Sequence, residues 1–399
     1  MINMDSKIAW KTKIPAALIV SAGVAHAQSS VTLYGAVDSS LLWQTTSATS
    51  FAPHPAVNPN RGSVVRYKDG GMFSSILGMV GREDVGGGYA INFKLQGSFD
   101  SGTGRLQLSD TPGAAAIFNQ VASVGVSGPF GTLNAGRQFA PMAYAFSDTD
   151  VRGAQFFGSV LTAWLSMLTS TGWPGTSTNG TIGSLYDSNA IVYNSPSFYG
   201  ASVSLEYAFG GIPGNFSAGS HESAVLRYSN YGLNLAAVYY NAHDTNPFLP
   251  TYPATPAVPA TGLDNNRFVY FGGKYVWRGF SVSGSFSNGR QPAYENGNPA
   301  FGATSGDFDM WTGGLGYQFS PAFGVTSGVY YVRDEKHSKN QSTAYILGAL
   351  YMLSKSTMLH ADFGYVSNRG AMNQELAYGA PPAPGRNTTG AMIGLRHTF

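Results

Sequence analysis

The stretch YAINFKLQGSF at residues 89–99 decides the fold. Tyr89, Ile91, Phe93 and Leu95 fall on one parity, and Asn92, Lys94, Gln96 and Ser98 on the other. Successive side chains of a strand point to opposite faces, so this is a strand with one apolar and one wet face. The pattern returns in ASVSLEYAF (201–209), where Val203, Leu205, Tyr207 and Phe209 oppose Ser202, Ser204 and Glu206. It returns again in FSVSGSF (280–286) and WTGGLGYQF (311–319). A soluble sandwich would bury the apolar parity and could not fill a dry core with the other one. Aromatic residues also close strand after strand, as at Tyr193, Phe209, Tyr275, Phe319, Tyr351, Tyr365 and Phe399. That placement suits the girdles of a transmembrane β-barrel, with the apolar parity on lipid and the wet parity on water.

Composition agrees. Only 11% of the 399 residues are charged, 13% are aromatic, 51 are glycine and none is cysteine. Soluble domains carry roughly 25% charged residues, and a disulfide framework is excluded. The first 27 residues read as an export signal, with Lys7, Lys11 and Lys13 before an apolar run and cleavage between Ala27 and Gln28. Removing them takes three lysines from 23 basic residues and Asp5 from 21 acidic ones, leaving 20 of each. A neutral mature chain lacks the basic footprint that nucleic-acid binding requires.

After Gln28 no apolar run reaches the roughly 20 residues that a spanning helix needs, so a membrane would be crossed by a closed, edgeless sheet. Period-2 segments between residues 30 and 399 number about sixteen, with the second at 74–82. Short connections such as 128–131, 230–232 and 277–279 alternate with long ones near 44–73, 139–187, 243–265, 289–308 and 368–387. The segment 247–262 is rich in proline and reads as an extended external loop. Within 139–187, the residues Phe156, Phe157, Val160, Leu161, Trp164, Leu165 and Leu168 stand at helical spacing, which predicts a short helix packed inside the wall. One barrel over 28–399 and no second domain is the expectation.

Several ordered motifs carry a resemblance over the whole mature length: SSVTLYGAVDSSLLW (29–43), EDVGGG (83–88), ASVGVSGPFGTLNAGRQ (122–138), NAIVYNSPSFYGASVSLEY (189–207) and GLRHTF (394–399). With them the chain resembles the trimeric sixteen-stranded general porins of β-proteobacteria. The resemblance implies passive diffusion of small hydrophilic solutes through a homotrimer set in outer-membrane lipid and lipopolysaccharide. It also implies a third long loop folded into the barrel as a constriction, and Phe399 as the signal read by the barrel assembly machinery. Many relatives carry inward basic residues on the second strand, where this chain has Ile76 and Val80, which puts an anion preference in question.

The candidate constriction residues are Asp148, Asp150 and Arg152 on the long loop, which either set a transverse field or solvate an exposed segment. Arg137 joins them by resemblance, although alternation groups it with Leu133 and Ala135. Parity turns Asp38, Lys94, Glu206, Arg227, Lys274, Asp362 and Arg396 toward the lumen, with Arg66 and Arg82 as further candidates. A substrate-specific channel is the alternative. An outer-membrane hydrolase is a weaker one, since His360 and Asp362 share an inner face two residues apart. No nucleophile elbow, phosphate loop or metal-ligand spacing occurs, so no cofactor or metal is implied.

Overall fold

The computed structural model describes residues 30–49, 58–106, 116–170, 179–180, 183–243, 265–291 and 306–399. The export signal with Ala27 and Gln28, and the proline-rich segment 247–262, lie outside the described residues. Seventeen strand segments form one antiparallel sheet. They are β1 (Ser30–Gln44), β2 in two pieces (Val64–Asp69 and Ser75–Gly86), β3 (Tyr89–Phe99), β4 (Val121–Gly128), β5 (Gly131–Phe139), β6 (Tyr186–Asn194), β7 (Ala201–Ala208) and β8 (His221–Asn230). The second half comprises β9 (Leu233–His243), β10 (Asn265–Trp277), β11 (Phe280–Gln291), β12 (Gly306–Ser320), β13 (Phe323–Asp334), β14 (Gln341–Met352), β15 (Thr357–Arg369) and β16 (Thr388–Thr398). Both pieces of β2 pair with successive halves of β1, so they count as one strand. Strand β1 also pairs with β16, from Ala36↔Thr398 to Gln44↔Gly390. The sheet is therefore a closed barrel of sixteen strands with no free edge, and every ladder group is satisfied within the wall.

The alternation read from the sequence maps onto this wall. Leu33, Leu205, Leu226, Phe271, Leu315, Leu347 and Ile393 are exposed on the outside, while Asp38, Ser204, Val225, Tyr270, Ile346 and Met392 are buried within. An apolar exterior of this extent is stable only against lipid. At the end with the short turns the rings run in contact, Phe280–Tyr317 at 4.4 Å, Tyr317–Phe319 at 4.7 Å and Phe319–Phe323 at 5.4 Å. Strand β1 begins and β16 ends here. Phe399 and Gly35 exchange backbone hydrogen bonds of 3.0 and 3.1 Å, and the Phe399 ring lies where a Cβ on residue 35 would be. Glycine at 35 lets the last residue lie flat on the first strand and close the seam.

Two expectations change. The second strand extends beyond 74–82: it reaches Gly86, and it resumes above a break as Val64–Asp69. The break exists because the backbone N–H groups of Gly71, Met72 and Phe73 all turn to the Asp38 carboxylate, at 2.9, 3.1 and 3.1 Å. The helix expected from 156 begins instead at Val160, as α2 (Val160–Ser170), and follows an unanticipated helix α1 (Pro141–Thr149). Pro141 opens α1, where the missing N–H costs nothing.

Both helices belong to the connection 140–185, which enters the barrel. Phe146 packs on Tyr270 at 5.0 Å, on Trp164 at 5.8 Å and on Phe268 at 5.9 Å. Val225, Val238, Tyr330 and Val332 complete an apolar core inside the ring. Where β8–β14 face the two helices, the barrel interior is thus filled by apolar side chains.

Candidate pore constriction

The inward loop is clamped at its neck by Ala140 N–H donating to Leu185 O at 3.1 Å, with the Phe139 and Tyr186 rings 4.4 Å apart. At the end of α1 the Lys274 ammonium donates to Ser147 O and Asp150 O, at 3.4 and 3.2 Å. A cation here meets the negative end of the helix. The Thr149 and Tyr270 hydroxyls lie 2.6 Å apart, and Val151 N–H donates to Ser283 Oγ at 3.1 Å. Strands β10 and β11 therefore fix the first helix.

The next turn is fixed by Arg152, whose side chain is wholly buried. Its guanidinium donates to Gly158 O and to Phe157 O at 2.7 Å within the loop. It reaches the wall at Thr326 Oγ1, 3.0 Å, and at Asp362 Oδ1, 2.7 Å. The Asp362 ion pair is dry on both sides. Gly348 makes room for it, because a Cβ there would collide with both the guanidinium and the carboxylate. Asp150 lies beside it and accepts from Arg152 N–H at 2.9 Å and from Val160 N–H, at the start of α2, at 2.7 Å. Burial pushes the Asp150 carboxyl above its ordinary range, although these amides and the Arg152 charge pull the other way.

From Asp362 a polar chain crosses the barrel seam. Asp362 Oδ2 lies 3.2 Å from His360 Nδ1, and His360 Nε2 lies 3.2 Å from Ser40 Oγ and 3.8 Å from Asp38 Oδ1. Asp38 Oδ2 accepts from Arg396 Nη1 at 3.2 Å. Ser40, His360 and Asp362 stand in hydroxyl–imidazole–carboxylate order, of which the sequence paired only the last two. All three are buried, and a Cβ at Gly71 or Gly394 would strike both Ser40 and His360. No acyl group can approach that hydroxyl, and Asp362 is committed to Arg152. The arrangement ties strands β1, β15 and β16 together.

A second loop braces the first. Gly158 N–H donates to Leu376 O at 2.8 Å and Tyr378 N–H to Phe156 O at 2.7 Å, so part of 370–387 adds a short bridge at Phe157↔Ala377. Glu375 Oε2 accepts from Gly379 and Ala380 N–H at 3.0 and 3.3 Å. Burial pushes this carboxyl up to about 8, against the Lys68 charge that lowers it. The sequence treats 368–387 as an external loop, and nothing in its composition marks the inward turn.

The structure separates residues that the sequence groups as one charged rim. Asp150 and Arg152 are 3% and 0% exposed, whereas the Asp148 side chain is 51% exposed, 3.8 Å from Arg227. Arg137 lies in the ladder opposite Ala122, anchored on Asn119 O at 2.8 Å and Ser188 Oγ at 2.7 Å, at the foot of the loop. Asp38, Glu206 and Asp362 sit on the inner face but are at most 5% exposed. Arg66 is on the inner face of the upper piece of β2, opposite Leu42. Open space follows the β1–β6 wall instead. A cavity of about 290 Å³ is lined by Val80, Arg82, Asn92, Lys94, Ser123 and Asn134, and a second of about 160 Å³ continues from Lys94 to Tyr144 and Val192.

A family model described as Gram-negative porin matches residues 16–371. Outer membrane porin protein 32 of Delftia acidovorans is 25% identical over 400 residues, covering 98% of this chain and 99% of the relative. Among solved structures, an anion-selective porin from Comamonas acidovorans superposes with a TM-score of 0.71 at 21% identity, covering 93% of this chain and all of the other. The trimer form of OmpT from Vibrio cholerae gives 0.61 at 14% identity, covering 93% of this chain and 99% of the other.

Two outcomes follow from the anchoring. Arg152→Gln leaves Asp362 buried without its cation, a loss of about 3–5 kcal/mol for such a pair. Single-channel conductance in planar bilayers should rise and become noisy while reversal potential stays put; unchanged, quiet conductance would contradict the anchor. For Glu375, the folded protein binds the proton more tightly than the unfolded chain. Its stabilisation is full below the ordinary carboxylate range and is lost as pH rises through about 8. The thermal unfolding midpoint should therefore fall between about pH 5 and pH 9, and Glu375→Gln should flatten that part of the profile.

Proposed function

The chain belongs to the Gram-negative porin family and forms an outer-membrane channel for passive diffusion of solutes; from that premise we propose that its passage is one-sided, runs along the β2–β6 wall, and weakly prefers small anions. One observation carries this reading. At the level of the inward loop, Asp38, Asp150, Asp187, Glu206 and Asp362 are all at most 5% exposed, so their charges are withdrawn from water. Among the described residues Asp148 alone of the loop-level acids faces it well. Against it stand Lys94, Arg227 and Lys274, which are half-buried. The surplus is positive, even though Ile76 and Val80 contribute no charge.

The preference is weak because screening limits such charges to about 8–10 Å at ordinary ionic strength. In this reading Asp148 and Arg227 form the charged rim. Asp150 and Arg152 position the loop, and Arg137 holds its foot. The trimer form described for OmpT supports assembly of three copies. Residues 1–27 would be removed between Ala27 and Gln28, and Phe399, at the seam, would serve the barrel assembly machinery. Lipopolysaccharide and lipid would meet the apolar exterior.

Reversal potential across a salt gradient tests the charge reading. The wild type should show a modest chloride preference, which Asp148→Asn increases and Arg227→Gln reduces. A cation preference, or indifference to both changes, would overturn it.

A further inference from the structure

A third cavity, of about 260 Å³, opens between the inward loop and the β2–β3 wall, and the passage does not explain its lining. Phe73, Phe139, Tyr144 and Phe156 line it, together with Ile76 and Arg396. The rings come in contacting pairs, Phe73 with Phe156 at 6.1 Å and Phe139 with Tyr144 at 5.8 Å. Lumen walls are ordinarily polar; here four rings share the lining with Ser74, Gln96, Gln120 and Ser147, which suits an occupant with an apolar ring and a polar end. A dry cavity of roughly 150 Å³ accepts benzene; this one has room for a ring and a small substituent.

The substituent is specified by Arg396. Its guanidinium lies 5.6 Å from the Phe73 ring centre. All its hydrogen bonds, to Asp38 Oδ2, Phe73 O and Ser74 O, leave from Nη1. Nε and Nη2 have no partner among the described residues, and they form the edge of the guanidinium that takes a carboxylate in a two-point grip. A partner for them that also stacks on rings is a planar aromatic acid.

We propose that this cavity is a binding site for monocyclic aromatic carboxylates, entered from the passage. Arg396 holds the carboxylate, and Phe73, Phe139 and Phe156 hold the ring. Ile76 supplies a neutral wall where a basic residue would compete for the anion and fill the space. Binding is weak and reversible, as transit requires, and it rests on the reading of the chain as an open channel.

Conductance of the full-length wild type in planar bilayers, with benzoate, acetate or benzyl alcohol added to potassium chloride, tests the site. Benzoate should lower the chloride current saturably. Acetate, which lacks the ring, and benzyl alcohol, which lacks the charge, should need at least about tenfold more to do the same. Phe156→Leu and Ile76→Lys should each weaken the benzoate effect several-fold, and Arg396→Gln should abolish it. Because Arg396 also pairs with Asp38, Phe156→Leu and Ile76→Lys decide the matter if that variant does not assemble. Equal block by acetate, equal block by benzyl alcohol, or a benzoate effect untouched by both wall changes would overturn the proposal. Absence of chloride conductance before any acid is added would instead count against the channel reading itself.

Discussion

The ion pair between Arg152 and Asp362, dry on both sides, is the constraint on which the interior of this barrel depends. Two charges taken out of water gain little net stability over a well-packed apolar pair, but removing one partner strands the other. The value of such a pair lies in position. Arg152 offers its donors at fixed angles, and they are met by two loop carbonyls, the Gln155 side chain and two wall side chains. Only one placement of the loop satisfies them together. The second carboxylate oxygen of Asp362 passes the constraint on to His360, Asp38 and Arg396, so the same network that places the loop also ties the first strand to the last two.

That placement makes the lumen asymmetric. With Phe146 and Trp164 packed against β10, the loop fills the lumen beside β8–β14 at its own level, and the cavities lie along the wall of β1–β6. The chain spends its buried carboxylates on structure, and leaves Lys94 on the open wall and half-buried Arg227 and Lys274 beside the loop. A balanced sequence can in this way present an unbalanced pore, because net charge counts every residue while a permeating ion meets only those in water.

The wall was legible in the sequence because a strand reports its two faces locally, and every segment such as 89–99 could be read alone. The strand count and the inner parity of Asp38, Lys94 and Glu206 followed directly. What escaped depends on contacts made at long range. The upper piece Val64–Asp69 alternates well, but the turn that follows it is held by Asp38, more than thirty residues earlier. Helix α1 carries a Pro at its start and little else to mark it. The acids and arginines of the inward loop look alike in sequence, and only the folded loop separates exposed Asp148 from buried Asp150 and Arg152. Ser40 completes a polar line with His360 and Asp362 only when the barrel closes.

A one-sided water path is measured most directly by cysteine accessibility, which the absence of native cysteine makes clean. Single replacements Asn92→Cys and Ser123→Cys on the open wall, and Val225→Cys and Val332→Cys on the packed wall, can be exposed to a charged, membrane-impermeant thiol reagent in the reconstituted protein while current is recorded. The structure predicts fast labelling with loss of current at 92 and 123, and protection at 225 and 332. Equal rates at all four positions would contradict a loop locked against one side of the barrel.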